Sequence, residues 1–359
     1  MDKTWQVASM YFMTHLGLIF FIYPGAIIAS TTQGHWIPIV MGFIVHMAAI
    51  SFYMKGLKDA GNMDIISLNL KFGKGMPILI LLPLTLYLLM SCIVTVRSLA
   101  EMMTIVFLSN TPLWAIMILF LLISTYMAFK GISSILRTGV LIGLLNVPIM
   151  LFFSLFSFQN VDWHYVFPLL GGFSFLTNPY YLQSLFVFTG GFLFLGFIPS
   201  SVAYRKRSVW FAAMALLPFF LFSVYIPLLT FGEATASTFI FPFIVSLDTI
   251  AITWSMFDRI TIFLFLSLVS FIMLFLSITL WSMMRVVSTC FTVAKSSYWL
   301  IFISVLVFLA CMAIPNWKDV EAVVNWDTSL RIYILIAVPL STYFIGRHLK
   351  GRVSYDATD

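Results

Sequence analysis

The chain has 359 residues, is 62% hydrophobic and only 9% charged, and has a mean hydropathy of +1.06. So little polar surface excludes a soluble domain, and apolar runs of about twenty residues exclude the alternating ten-residue strands of an outer-membrane barrel. The net charge of +6 is scattered between the apolar runs and forms no basic patch, which excludes a nucleic-acid partner and makes those residues topology signals.

Ten membrane-spanning helices are predicted, at about 5–30, 36–54, 76–107, 112–129, 134–157, 181–202, 209–231, 257–282, 298–314 and 330–347. At 1.5 Å per residue each reaches across a bilayer, and the third is long enough to tilt or protrude. The first begins just after Lys3 and is too long for the apolar region of a signal peptide, so it is read as a retained span. Between spans 7 and 8 the half-apolar stretch GEATASTFIFPFIVSLDTIAITW contains Pro242 and is expected to fold over one face as short helices.

Basic residues fall on alternate loops. Lys55, Lys58, Lys71 and Lys74 lie between spans 2 and 3, and Lys130 and Arg137 between 4 and 5. Arg205, Lys206 and Arg207 lie between 6 and 7, and Arg285 and Lys295 between 8 and 9. Arg347, Lys350 and Arg352 follow span 10. With Lys3 these make 15, against only Arg259, Lys318 and Arg331 on the other side. The bias places both termini in the cytoplasm.

Two spans carry helix breakers at matching places. Span 1 has His15-Leu16-Gly17 followed by Pro24-Gly25, and span 6 has Thr189-Gly190-Gly191 followed by Gly196 and Pro199. These spans open the two halves of the chain, about 5–157 and 181–347, and run in opposite directions. Interrupted helices at corresponding places in inverted halves point to a transporter-type binding site, because lipid cannot satisfy the freed backbone groups. The second half of span 1 is expected to begin near Leu18, aiming N–H groups and a positive dipole end at a carboxylate. The first half of span 6 is expected to end near Phe188, offering carbonyls to an ammonium. The candidate ligand-binding set is His15, Leu16, Gly17, Leu18, Ile19, Tyr87, Phe188, Thr189, Gly190 and Gly191, and a zwitterion such as an amino acid suits it. Gly196, nearer the cytoplasmic end, is expected to tolerate substitution better. The competing reading is that the Gly and Pro residues only permit close packing, with His15 a hydrogen-bonded buried group beside Thr14.

Arg97 and Glu101, four apart on span 3, share a helix face. They are read as a structural ion pair, with a gate as the alternative. Ser267 and Ser270 are too ordinary for membrane helices to argue for a sodium site. Cys92, Cys290 and Cys311 are far apart in apolar sequence and read as inert thiols. No nucleophile triad, P-loop or metal cluster is present in the sequence, so neither an enzyme nor a cofactor is expected.

The stretch TPLWAIMILFLLISTYMAFKGISSILR, Thr111 to Arg137, resembles a mark of the spore germination permeases, the B subunits of endospore germinant receptors. VRSLAEMM from Val96, THLGLIFFIYP in span 1 and FDRITIFLFLSL in span 8 are similar to further family stretches. The chain departs from the family pattern at Ile19, where a Gly is common, and at His15, where a Gln is common. The family is related to the amino acid–polyamine–organocation transporters. The resemblance therefore implies an all-α integral membrane protein, a single transmembrane domain over 1–359 with a five-plus-five inverted repeat and broken helices 1 and 6. It implies a permease-like subunit in the spore inner membrane that senses a small nutrient germinant together with A and C subunits. A secondary active amino acid transporter is the alternative.

The charge bias predicts that a cysteine introduced at Ser208 is labelled from the cytoplasmic side by an impermeant maleimide. Labelling from the outer side contradicts the assigned topology.

Overall fold

The computed structural model describes residues 3–61, 63–73, 75–249, 261–291 and 293–356. Lys74 and Arg259, both used above as topology signals, lie outside these residues, as do the first residues of the FDRITIFLFLSL stretch. Described elements are all helical. In chain order they are α1 (Thr4–Ile19), α2 (Tyr23–Ser30), α3 (Trp36–Asp59), α4 (Ile65–Phe72) and α5 (Leu82–Val106). There follow α6 (Leu113–Phe129), α7 (Ile132–Phe156), α8 (Pro179–Gly190), α9 (Lys206–Met214), α10 (Leu217–Phe231) and α11 (Glu233–Ala236). The chain continues as α12 (Pro242–Asp248), α13 (Thr261–Cys290), α14 (Ser296–Met312), α15 (Trp317–Trp326) and α16 (Thr328–Asp356).

Among the described residues, seven stretches are long and apolar enough to cross a membrane, and α1 with α2 makes an eighth, bent by 53°. The two 17-residue apolar helices α6 and α14 coincide with the predicted fourth and ninth spans. The third span is overlong as predicted, running 30 residues from Pro77 and opening with a π-helical turn. The segment after span 7 folds as α11 and α12, two short helices; its last residues lie outside those described.

Proline fixes where span 1 breaks. Pro24 sits in the first turn of α2, where no N–H is lost, whereas its ring would clash with a helix continued from α1. The break is therefore at residues 20–22 and not near Leu18 as expected. His15, Leu16, Gly17, Leu18 and Ile19 all remain in α1. Gly17 serves packing: a Cβ there would lie 3.0 Å from the backbone of Phe271 and Ile272 on α13. Span 6 ends its regular helix at Gly190 and continues through a 3₁₀ turn, Leu193–Phe197. It is also the most enclosed of the spans. Helices α3 and α16 cross where Gly56 meets Thr342 and Gly346, and a Cβ on either glycine would lie about 2.5 Å or less from opposing backbone.

Cationic side chains gather at the end of the bundle that carries Lys3. The Lys3 amide donates to the Ala203 carbonyl, Lys206 reaches the Met54 carbonyl, and Lys350 pairs with Asp59 at 3.1 Å. Arg285 pairs with Asp64 at 2.6 Å. Burial works against the Asp64 carboxylate, but hydrogen bonds from Ser67 and the Arg285 guanidinium outweigh it and hold the acid below its ordinary range.

Two ion pairs stitch the opposite end. Arg97 pairs with Glu101 and also donates to the carbonyls of Ile314 and Pro315, tying α5 to the chain after α14. Arg331, counted as a loop cation from the sequence, is fully buried. It pairs with Asp327 at 2.9 Å and donates to the carbonyls of Leu182 and Gln183 in α8. Exposure decides which pair matters more. Asp327 is 1% exposed, so losing Arg331 strands a carboxylate in the interior; Glu101 is 22% exposed and can rehydrate. Arg331→Leu is expected to cost about 3–5 kcal/mol, and Arg97→Leu clearly less, in thermal unfolding of the purified protein in one detergent. Equal losses contradict this ranking.

Candidate functional site

The two broken spans meet at one place. The His15 ring of α1 lies directly over Gly191, where a Cβ would be 2.4 Å from the imidazole. Gly190 faces Phe275 of α13 and the hydroxyl of Tyr87 on α5, with 3.6 Å between that hydroxyl and the position of an added Cβ. Of the predicted set, His15, Tyr87, Thr189, Gly190 and Gly191 thus share one buried neighbourhood, and Phe188 joins it through its carbonyl. Leu16, Leu18 and Ile19 are buried in α1 beside it, and Gly17 is turned to α13.

The hydrogen bonds fix both histidine tautomers. His15 Nδ1 is 2.8 Å from the Tyr11 carbonyl, which can only accept, so Nδ1 carries the proton. Nε2 is then a bare acceptor; it is fully buried and has no partner. His46 of α3 donates from Nδ1 to the Phe188 carbonyl at 2.8 Å, and its Nε2 accepts from the Tyr11 hydroxyl at 2.5 Å. The two imidazole rings stand 5.1 Å apart, edge to face. Phe188 O, expected to be open to an ammonium, is instead engaged by His46 at one lone pair.

Span 3 adds a polar row. Tyr87, Ser91, Thr95 and Ser98 recur at helical spacing on one face of α5, all buried, and none of their hydroxyls has a hydrogen-bond partner. Tyr87 lies beside Ser91 and Thr189 without completing a bond of good geometry. Helical Ser and Thr ordinarily donate to the carbonyl four residues back, as Thr85 and Thr104 do in this helix at 2.7 and 3.0 Å. The row leads from Gly190 toward the end of the bundle away from Lys3.

Several expectations change. Gly196 does not tolerate bulk better: a Cβ there would be 1.8 Å from the Tyr53 hydroxyl. Ser267 and Ser270 change nothing: Ser267 bonds Asn146 and the Phe263 carbonyl, and Ser270 the Leu266 carbonyl, as ordinary helix serines do. Tyr11 and the role of His46 were missed. Tyr11 sits one turn before His15, the one local signal available; the partner of His46 is 142 residues away. No group of His, Cys, Asp or Glu among the described residues could hold a metal ion.

The arrangement is a cluster of buried polar groups in an apolar bundle, with an acceptor at His15, a donor–acceptor at Tyr87, and glycine backbone between them. The fold is similar to that of a solved nucleobase-cation-symport-1 family transporter, MHP1, in a closed conformation with bromovinylhydantoin bound. The two share 14% identity with a TM-score of 0.60, over 91% of this chain and 75% of that one. No curated relative matches the chain. A family model described as spore germination protein matches residues 3–320. A chain matched over that length, with a transporter fold and a doubly broken centre, belongs to the spore germination protein family.

Proposed function

We propose that this protein is the permease-like subunit through which a spore nutrient receptor senses a small germinant, held at mid-membrane between the breaks of spans 1 and 6. The observation that carries the proposal is the His15 Nε2 lone pair: fully buried, without a partner, and set against Gly191. A buried acceptor without a donor costs about 1–3 kcal/mol, which a ligand N–H recovers on binding. An amino group is the matching chemistry, with Tyr87 available to a second polar group, so an amino acid is the substrate class favoured. This reverses the placement expected from sequence, in which span 6 carbonyls took the ammonium.

The reading carries the rest of the topology with it. The ten helices form five plus five in inverted repeat, the basic end is cytoplasmic, and the membrane is the spore inner membrane. The A and C subunits complete the receptor. The likeness to a transporter is the observation that favours the second reading, secondary active uptake of the same ligand. Gradient-driven accumulation of a radiolabelled amino acid in proteoliposomes supports transport; binding without accumulation supports sensing alone.

His15→Phe keeps an aromatic ring and removes the acceptor, and Gly191→Ala pushes the ring from its seat. Losing one hydrogen bond to a charged donor corresponds to about tenfold or more in affinity. Spores carrying either variant are expected to need at least about tenfold more germinant across an amino acid panel, with near-normal protein in immunoblots of the inner membrane. Unchanged dose–response curves for both variants contradict the site.

A further inference from the structure

A pocket lies at the end of the bundle away from Lys3. It is a cavity of about 180 Å³ enclosed by α2, the first turns of α8, α15 and residues 237–240. At about 30 Å³ per water it has room for roughly six waters, or for a ligand with that number of heavy atoms. On the α2 side its lining is the small residues Gly25, Ala26 and Ala29. Tyr180, Trp317, Glu321 and Ser98 also line it.

Two features of the pocket bear on what fits it. Ser98 is 1% exposed and its hydroxyl has no partner, although it lines the cavity. Glu321 is positioned by a 2.8 Å hydrogen bond from Trp317 Nε1 to its Oε1, yet none of the described ion pairs includes it. The neighbouring acids Glu101 and Asp327 both have an arginine. An oriented carboxylate outside the described ion pairs, in a cavity also lined by two aromatic residues and a hydroxyl in need of a partner, is the chemistry that receives an ammonium group.

We propose that this pocket is a second ligand site, which takes the ammonium end of a small amine or zwitterion at Glu321, with Tyr180 and Trp317 flanking the cation and Ser98 contacting the ligand's other polar end. The site is separate from the one at Gly191. The hydroxyls of Thr95, Ser91 and Tyr87 lie between the two, on the same face of α5 as Ser98.

The test uses the purified full-length chain in nanodiscs, with Cys290 replaced by Ser and Ser237, on the exposed rim, replaced by Cys. Cys92 and Cys311 are buried and stay silent. The rate of maleimide modification at position 237 is measured against ethylammonium chloride and sodium propionate. Ethylammonium should slow it and propionate should not. Glu321→Gln keeps the oxygen that accepts from Trp317, so the wall stays in place, but it should raise the half-protecting ethylammonium concentration at least about tenfold. Ser98→Ala, a milder change, should leave ethylammonium protection intact and weaken protection by glycine, used as the zwitterionic probe. Gly191→Ala should leave ethylammonium protection within about twofold of wild type. Protection unaffected by Glu321→Gln, equal protection by propionate, or protection abolished by Gly191→Ala each overturns the proposal. The last outcome also separates it from the central site, which can fail or stand independently.

Discussion

The hydrogen bond from His46 to the Phe188 carbonyl is the interaction on which the centre of this protein depends. A helix that stops inside a bilayer leaves carbonyls that hydrocarbon cannot satisfy, at several kcal/mol each. Span 6 stops at Gly190, and Phe188 is among its last carbonyls. His46 brings a donor from α3, and the Tyr11 hydroxyl keeps that donor in the right tautomer from α1. Three elements far apart in the chain are thereby locked around one break. Tyr11 also accepts from His15 through its carbonyl, so the same residue orients both imidazoles. Rings pack around the outer side of the junction, with Phe188 stacked 4.7 Å from Phe220 and Tyr23 edge-on to both.

This economy explains why one acceptor stands out. His46, Tyr11 and the Phe188 carbonyl are paired, whereas His15 Nε2, the Tyr23 hydroxyl and the hydroxyls along α5 are not. Apolar packing alone could have filled those positions with Phe or Leu, of which the chain has no shortage. Buried hydroxyls without a protein partner are costly, and four in register on one helix face suit a polar molecule. The charged groups divide differently. Arg331 and Asp327 clamp the first half of span 6 to α16, and Arg97 and Glu101 clamp α5 to the chain after α14. Both lie away from the basic end. The half-helix that ends at the break is thus anchored at its far end by a buried cation.

Much of this was legible in the sequence. Apolar runs and alternating loop charge located the helices, and the Gly and Pro residues of spans 1 and 6 marked the broken ones. The exact break in span 1 was misjudged because Gly17 was weighed above Pro24. Glycine in a membrane helix also serves close crossing, as Gly17 does against α13, whereas a proline ring imposes a steric stop. Arg331 was taken for a loop residue because hydropathy cannot tell a cation at a helix end from one turned inward, although its spacing from Asp327 equals that of Arg97 from Glu101. The link between His46 and Phe188 was out of reach, since no periodicity connects residues 142 apart.

The central claim is that the ligand sits between the two breaks, against His15. A cryo-electron microscopy structure of the protein in nanodiscs with a saturating amino acid that elicits the spore response tests it most directly. The account predicts ligand density between residues 20–22 and Gly190–Gly191, with its amino group within hydrogen-bond distance of His15 Nε2. Density elsewhere, with the His15 ring still seated on Gly191, contradicts it.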